Sequence, residues 1–120
     1  MAEEINLKTF TDKRGSLTVI EKVIPFEIKR VFYIYGLDEH ARGGHRHKIT
    51  RQAAVCIQGS CTILNINGNS SETFYLSTPS KLLLLEPEDW HIMSDFTNDA
   101  ILMVFASEYF DQDDYIFEEW

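Results

Sequence analysis

No stretch of this sequence stays apolar for the roughly 18 residues that a membrane-spanning helix needs, and none repeats apolar residues at helical spacing over a useful length. The first absence argues against a helical membrane anchor, and the second leaves strands to build the fold. Cysteine is scarce: only Cys56 and Cys61 occur. They flank Gln58-Gly59-Ser60, a turn signal, so a bridge between them would close only a very small loop, and two buried thiols are expected. A single C-x4-C pair also falls short of the four ligands of a structural zinc site.

Positive charge is in deficit, with 11 Lys and Arg against 19 Asp and Glu and a net charge of −8. That balance disfavours nucleic acid and anionic membranes as partners. Acid is missing in turn from one place: no Asp or Glu occurs between Ala41 and Ser71, where Arg42, Arg46, Lys48 and Arg51 lie close together. An acidic chain with one acid-free basic segment can bind a small anion there. The N-terminal MAEEINLKTF is acidic where an export signal is basic and then apolar, so a cytoplasmic location is expected. With 120 residues, 44% apolar and 12% aromatic, the chain suits a single domain over residues 1–120 with its own core.

Short apolar runs separated by Gly, Asn and Pro predict an all-β barrel or sandwich. Strands are expected after the Asp12-Lys13-Arg14-Gly15 turn, over Ile28–Tyr35 with both faces largely buried, through Ala53–Ile57, from Cys61 to Ile66, and at Phe74–Leu76, Lys81–Leu85 and Ala100–Ala106. Asn67-Gly68-Asn69 is a hairpin signal. Pro87-Glu88-Asp89 forms a turn that delivers Trp90 and His91, and Tyr109–Trp120 reads as a solvated acidic and aromatic tail, with Tyr115 and Phe117 packing it down.

The chemistry concentrates on histidine. His45 and His47 are two residues apart, so an extended backbone points both rings to one face, with Cα atoms about 7 Å apart. His91 follows the proline turn, whereas His40 sits beside Asp38 and Glu39 and is expected to be solvated. Three neutral imidazoles from His45, His47 and His91 could hold Zn, Fe, Ni or Mn. Gln52, a weak donor, stands where the similar first motif of metal-binding cupin barrels usually has Glu, and the neighbouring cations raise the cost of binding another. The other reading is metal-free acid/base catalysis, for which an imidazole with an unperturbed pKa of about 6.5 is suited. Neighbouring cations favour its neutral form and attract an anionic substrate.

Five collinear blocks carry a resemblance: Asp12-Lys13-Arg14-Gly15-Ser16-Leu17, Ile24-Pro25-Phe26-Glu27-Ile28-Lys29-Arg30-Val31, Arg42-Gly43-Gly44-His45-Arg46-His47-Lys48, Trp90-His91-Ile92-Met93 and Asp113-Asp114-Tyr115-Ile116. Together they resemble the cupin-fold sugar-nucleotide 3,4-ketoisomerases. The resemblance implies a cupin or jelly-roll antiparallel β-barrel, a homodimer that exchanges N-terminal strands, no metal or other cofactor, and a nucleotide-linked sugar such as a dTDP-4-keto-6-deoxyhexose as ligand. It implies His47 as catalytic base and His45 as second catalytic histidine. Arg14, Tyr33, Tyr35 and Arg42 correspond to substrate-pocket positions, and Gln52, Trp90 and His91 are added as pocket candidates. The expected activity is transfer of the keto group from C4 to C3 through an enediol in bacterial deoxysugar biosynthesis. A metal-dependent cupin enzyme and a non-catalytic sugar-nucleotide-binding cupin remain the alternatives.

Overall fold

Two five-stranded antiparallel sheets face each other across the interior. The computed structural model describes Met1–Trp120. One sheet contains, in spatial order, β1 (Glu3–Asn6), β9 (Lys81–Leu85), β6 (Gln52–Gln58), β11 (Ile101–Ala106) and β4 (Arg30–Ile34). The other contains β12 (Tyr115–Ile116), β5 (Arg42–His47), β10 (Trp90–Ser94), β7 (Cys61–Asn67) and β8 (Ser70–Leu76). The remaining strands, β2 (Lys8–Asp12) and β3 (Gly15–Val19), pair only with each other. The expected all-β class holds, the helical content being one 3-10 turn at Gln112–Asp114. No helix is long and apolar enough to cross a membrane.

The apolar pattern explains why the first sheet is central. β6 and β9 are buried on both faces: Ala54, Cys56, Leu83 and Leu85 join the interior cluster with Ile63, Leu76, Leu102 and Val104. Ala53, Val55, Leu82 and Leu84 form an outer cluster with Leu7, covered by Ile20, Ile24, Phe26 and Phe105. Such doubly covered strands read as continuous apolar runs. Each fully buried leucine contributes roughly 1.5–3 kcal/mol by leaving water. Cys56 and Cys61 are free and buried, as their spacing predicts, and Asn67-Gly68-Asn69 turns β7 into β8.

Two expectations need correction. β4 buries only one face: Arg30, Phe32 and Ile34 line the interior cavity, while Tyr33 is 60% exposed and Tyr35 beyond its end 68%. The unbroken apolar run from Val31 to Tyr35 hid this parity. The C-terminal segment is no loose tail either. Asp111 caps the 3-10 turn by accepting the Asp113 amide at 3.0 Å, and β12 then pairs with β5, placing Tyr115 opposite His47 and Ile116 opposite Arg46. The N-terminal segment read only for its charge contributes β1 and β2, with β1 forming an edge of the first sheet through pairing with β9.

Candidate active site

β5 sets the positions of His45 and His47, and its irregularity aims them. In the β10 pairing, His91 lies opposite His45 and Ile92 opposite Gly43, so Gly44 is the extra residue of a bulge. Gly43 has φ +87°, and a Cβ there would stand 3.0 Å from the His91 carbonyl oxygen. Glycine allows both the left-handed backbone and the close approach of the strands. Beyond the bulge, the ring centroid of His45 is 5.0 Å from that of His47 and 4.9 Å from that of His91. The Tyr115 ring lies 4.7 Å from the rings of both His45 and His47.

His47 is buried, and its Nδ1 is 2.9 Å from Asp114 Oδ2. Asp114 also accepts hydrogen bonds from the Thr50 hydroxyl and from the backbone N–H groups of Lys48 and Ile49. Burial alone would raise the Asp114 pKa, but the hydrogen bonds from Thr50, Ile49 and His47 together hold it below the ordinary carboxylate value. Its carboxylate therefore accepts a proton-bearing Nδ1, which leaves Nε2 of neutral His47 with a free lone pair. That Nε2 is buried without a hydrogen-bond partner. Burial lowers the His47 pKa despite the opposing influence of Asp114, and Arg30 lowers it further.

His45 and His91 are neutral too. Burial first, then repulsion from His91 and His47, lowers His45 to about 4. Burial lowers His91 to about 4 as well, outweighing the hydrogen bond to Asp89. In that contact the His91 Nδ1 lies 3.1 Å from the Asp89 carbonyl oxygen. Asp89 is itself fully buried, accepts from Asn65 and Asn67 at 3.1 and 3.0 Å, and closes the turn through the Glu86 amide at 2.8 Å. The proline turn is thus a built support for His91.

A cavity of about 200 Å³ opens beside these rings, with Arg30, Arg42, His45, Gln52, His91 and Tyr115 supplying its polar lining. Arg30, Gln52 and Tyr115 also line the small adjoining recess that contains His47. Of the residues singled out in the sequence, the fold brings His45, His47, Arg42, Gln52 and His91 together. Trp90 is buried behind the wall, where its Nε1 donates to the Phe117 carbonyl at 3.2 Å. Tyr33 and Tyr35 lie on the outer face of β4, beside Ile57, Ile101 and Met103, and not in the cavity. Arg14 is at the tip of the separate β2–β3 hairpin, ion-paired with Asp12. The basic stretch also disperses: Arg51 is bound to Glu86 and Arg46 stacks on Trp120 at 3.8 Å, so only Arg42 of its four cations lines the cavity.

Sequence reasoning passed over Arg30 and Asp114 as site residues. Arg30 carried a usable signal, a cation sharing strand parity with Phe32 and Ile34. Asp114 had only its place in the Asp113-Asp114-Tyr115-Ile116 block, because the hydrogen-bond partners of its side chain are at least 64 positions away.

The same architecture recurs in characterised proteins. The TDP-4-oxo-6-deoxy-alpha-D-glucose-3,4-oxoisomerase of Aneurinibacillus thermoaerophilus is 46% identical over 115 residues, covering 93% of this chain and 83% of the relative. The 3,4-ketoisomerase QdtA of Thermoanaerobacterium thermosaccharolyticum, solved as a histidine-to-asparagine mutant in complex with TDP-4-keto-6-deoxyglucose, superposes with a TM-score of 0.93 at 41% identity, covering 98% of this chain and 87% of that one. The TDP-quinovose 3,4-ketoisomerase WlaRB of Campylobacter jejuni gives a TM-score of 0.92 at 38% identity, over 98% and 92% of the two chains. With a family model described as FdtA: WxcM-like, C-terminal matching residues 2–119, the chain belongs to that family.

Proposed function

We propose that this protein is a sugar-nucleotide 3,4-ketoisomerase that moves the carbonyl of a TDP-4-keto-6-deoxyhexose from C4 to C3 in bacterial deoxysugar biosynthesis. Its relatives in this family carry that activity in their names, and the observation in this chain that supports it best is the His47–Asp114 pair. A neutral imidazole with Nδ1 fixed by a carboxylate and Nε2 buried without a partner is a poised general base.

The chemistry is an internal transfer of hydrogen. His47 Nε2 takes the proton from C3 as the C4 carbonyl becomes an enediolate oxygen, and Asp114 stabilises the imidazolium that forms. A proton returns to C4, the C3 hydroxyl gives up its own proton, and the carbonyl stands at C3. No external oxidant or reductant enters, so the reaction calls for no redox cofactor. His45, whose ring centroid is 5.0 Å from that of His47 and which lines the cavity, relays the returning proton in this reading. His91 and Gln52 contact the sugar, and exposed Arg42 at the cavity margin binds the diphosphate through charge-assisted hydrogen bonds.

The working unit in this reading is a homodimer with exchanged N-terminal hairpins. Support comes from β2 and β3 forming no pairing with the barrel, and from Phe10 and Leu17 on them being 62% and 61% exposed. Tyr33, Tyr35 and Val31 offer a complementary apolar outer face on β4. Arg14 then completes the pocket of the partner subunit, not that of its own chain.

The test is incubation with TDP-4-keto-6-deoxyglucose in D2O, followed by NMR. Solvent deuterium entering the sugar together with a 3-keto product supports the assignment. Tight binding without exchange, or without a 3-keto product, overturns it in favour of a sugar-nucleotide-binding protein.

A further inference from the structure

Two cations line the cavity, and they are held differently. Arg42 is exposed at the start of β5. Arg30 enters from β4 on the inward parity, with its guanidinium carbon 4.5 Å from the centre of the Phe32 ring and 5.3 Å from that of Phe110. It belongs to none of the chain's ion pairs. Arg51 shows the ordinary alternative, with donors committed to Glu86 and to the Pro25 carbonyl. Aromatic faces hold a guanidinium in place while leaving its N–H edge free for an acceptor.

The location of that edge is informative. Arg30 lines both the main cavity and the recess holding His47, so it stands where the two meet. Its charge is felt at His47, whose protonated form it disfavours. A fixed cation beside a neutral base, in a partly dehydrated site, is matched to a reaction in which the base removes a proton and leaves an anion behind. Unfavourable against the imidazolium alone, it becomes favourable once an oxyanion forms between them.

Resting on the ketoisomerase reading above, we propose that Arg30 is a catalytic residue whose guanidinium binds the enediolate oxygen generated when His47 removes the C3 proton. Arg42 serves the diphosphate, so the two arginines divide transition-state and ground-state binding.

The assignment is tested with Arg30→Met and Arg30→Lys in the full-length protein, following kcat, KM and deuterium uptake with TDP-4-keto-6-deoxyglucose, and TDP affinity by calorimetry. Losing one such donor lowers kcat on the order of 10²- to 10³-fold, with deuterium uptake falling in parallel and TDP affinity staying within about threefold. Arg30→Lys keeps the charge but loses the planar edge, and falls between. In a third variant, Arg30→Ala, added guanidinium ion restores part of the lost kcat, which a purely structural role does not produce. Wild-type kcat in Arg30→Met, or weakened TDP binding at unchanged kcat, overturns the assignment alone. Wild-type protein that neither exchanges nor turns over overturns the ketoisomerase reading, and this assignment with it.

Discussion

His47 and Asp114 lie 67 residues apart in the chain and meet at 2.9 Å. The contact depends on β12 pairing with β5, which seals the C-terminal segment against the histidine strand. Thr50 and the amides of Lys48 and Ile49 complete the carboxylate's hydrogen bonds, so Asp114 holds both the imidazole and the turn leaving β5.

Asp114→Asn follows directly. The amide cannot serve all these donors, and it no longer selects the tautomer with Nε2 free. Expected is a fall in kcat of at least about 10²-fold, with TDP affinity nearly unchanged and stability reduced by roughly 1–3 kcal/mol. Steady-state kinetics beside calorimetry separates these effects, and a wild-type kcat removes the pair from the mechanism.

Much of this arrangement was legible in the sequence, and the rest was hidden for identifiable reasons. The His45-x-His47 spacing holds because β5 stays extended after its glycine bulge, and the apolar runs at β6 and β9 mark strands covered on both sides. Tyr33 and Tyr35 come to the pocket through the family resemblance, and composition offers no check because Val31 to Tyr35 is apolar at every position; the cavity of this chain takes Arg30, Phe32 and Ile34. Asp114 was masked by Asp111 and Asp113, neighbours that remain exposed, and its burial is decided by donors far away in the chain.

Acid should destabilise the protein over a window set by its buried rings. Unfolded histidines take up protons from about pH 6.5 downward, whereas folded His45 and His91 resist until about 4 and His47 is shifted in the same direction. The folded state is thus the proton-poor one, and stability falls as pH drops through that window, by roughly 1.4 kcal/mol per pH unit for the fully buried His91 and by less for His45 and His47, which solvent partly screens. Above pH 7 the rings are neutral in both states and add nothing to the slope. Asp114, with its lowered pKa, contributes stability that is lost only at more acidic pH. Urea midpoints between pH 7 and 4.5 measure the slope, and His91→Asn should reduce it by about one proton's worth; an unchanged slope rejects the burial account.

Gly43→Ala tests the bulge. The substitution places a Cβ 3.0 Å from the His91 carbonyl at φ +87°, so β5 or β10 must move. The left-handed backbone alone costs about 1–2 kcal/mol, and the displaced rings should lower kcat beyond what the stability loss explains. Gly68→Ala is the control, also at positive φ but with nothing within 4 Å of the added carbon. Melting temperatures of the two should fall while kcat drops only in Gly43→Ala; equal kcat in both rejects the role assigned to the bulge.

The proposed exchange of the hairpins makes a prediction that a self-contained barrel cannot meet. Arg14 is on the β2–β3 hairpin and outside the cavity of its own chain, while His47 lies inside the barrel. If Arg14 completes the partner's pocket, Arg14→Ala and His47→Asn homodimers are each impaired at both sites. A heterodimer of the two has one site with neither substitution, built from the Arg14→Ala barrel and the hairpin of the His47→Asn chain; its other site carries both. Unfolding and refolding an equal mixture places half the chains' sites in heterodimers at random, and half of those are intact, so activity should return to about a quarter of the wild-type value per chain. Recovery of this size, absent when the proteins are mixed without refolding, supports shared sites. No recovery in a mixture verified to contain heterodimers means that each barrel works with its own residues, and that Arg14 has no part in substrate binding across the dimer.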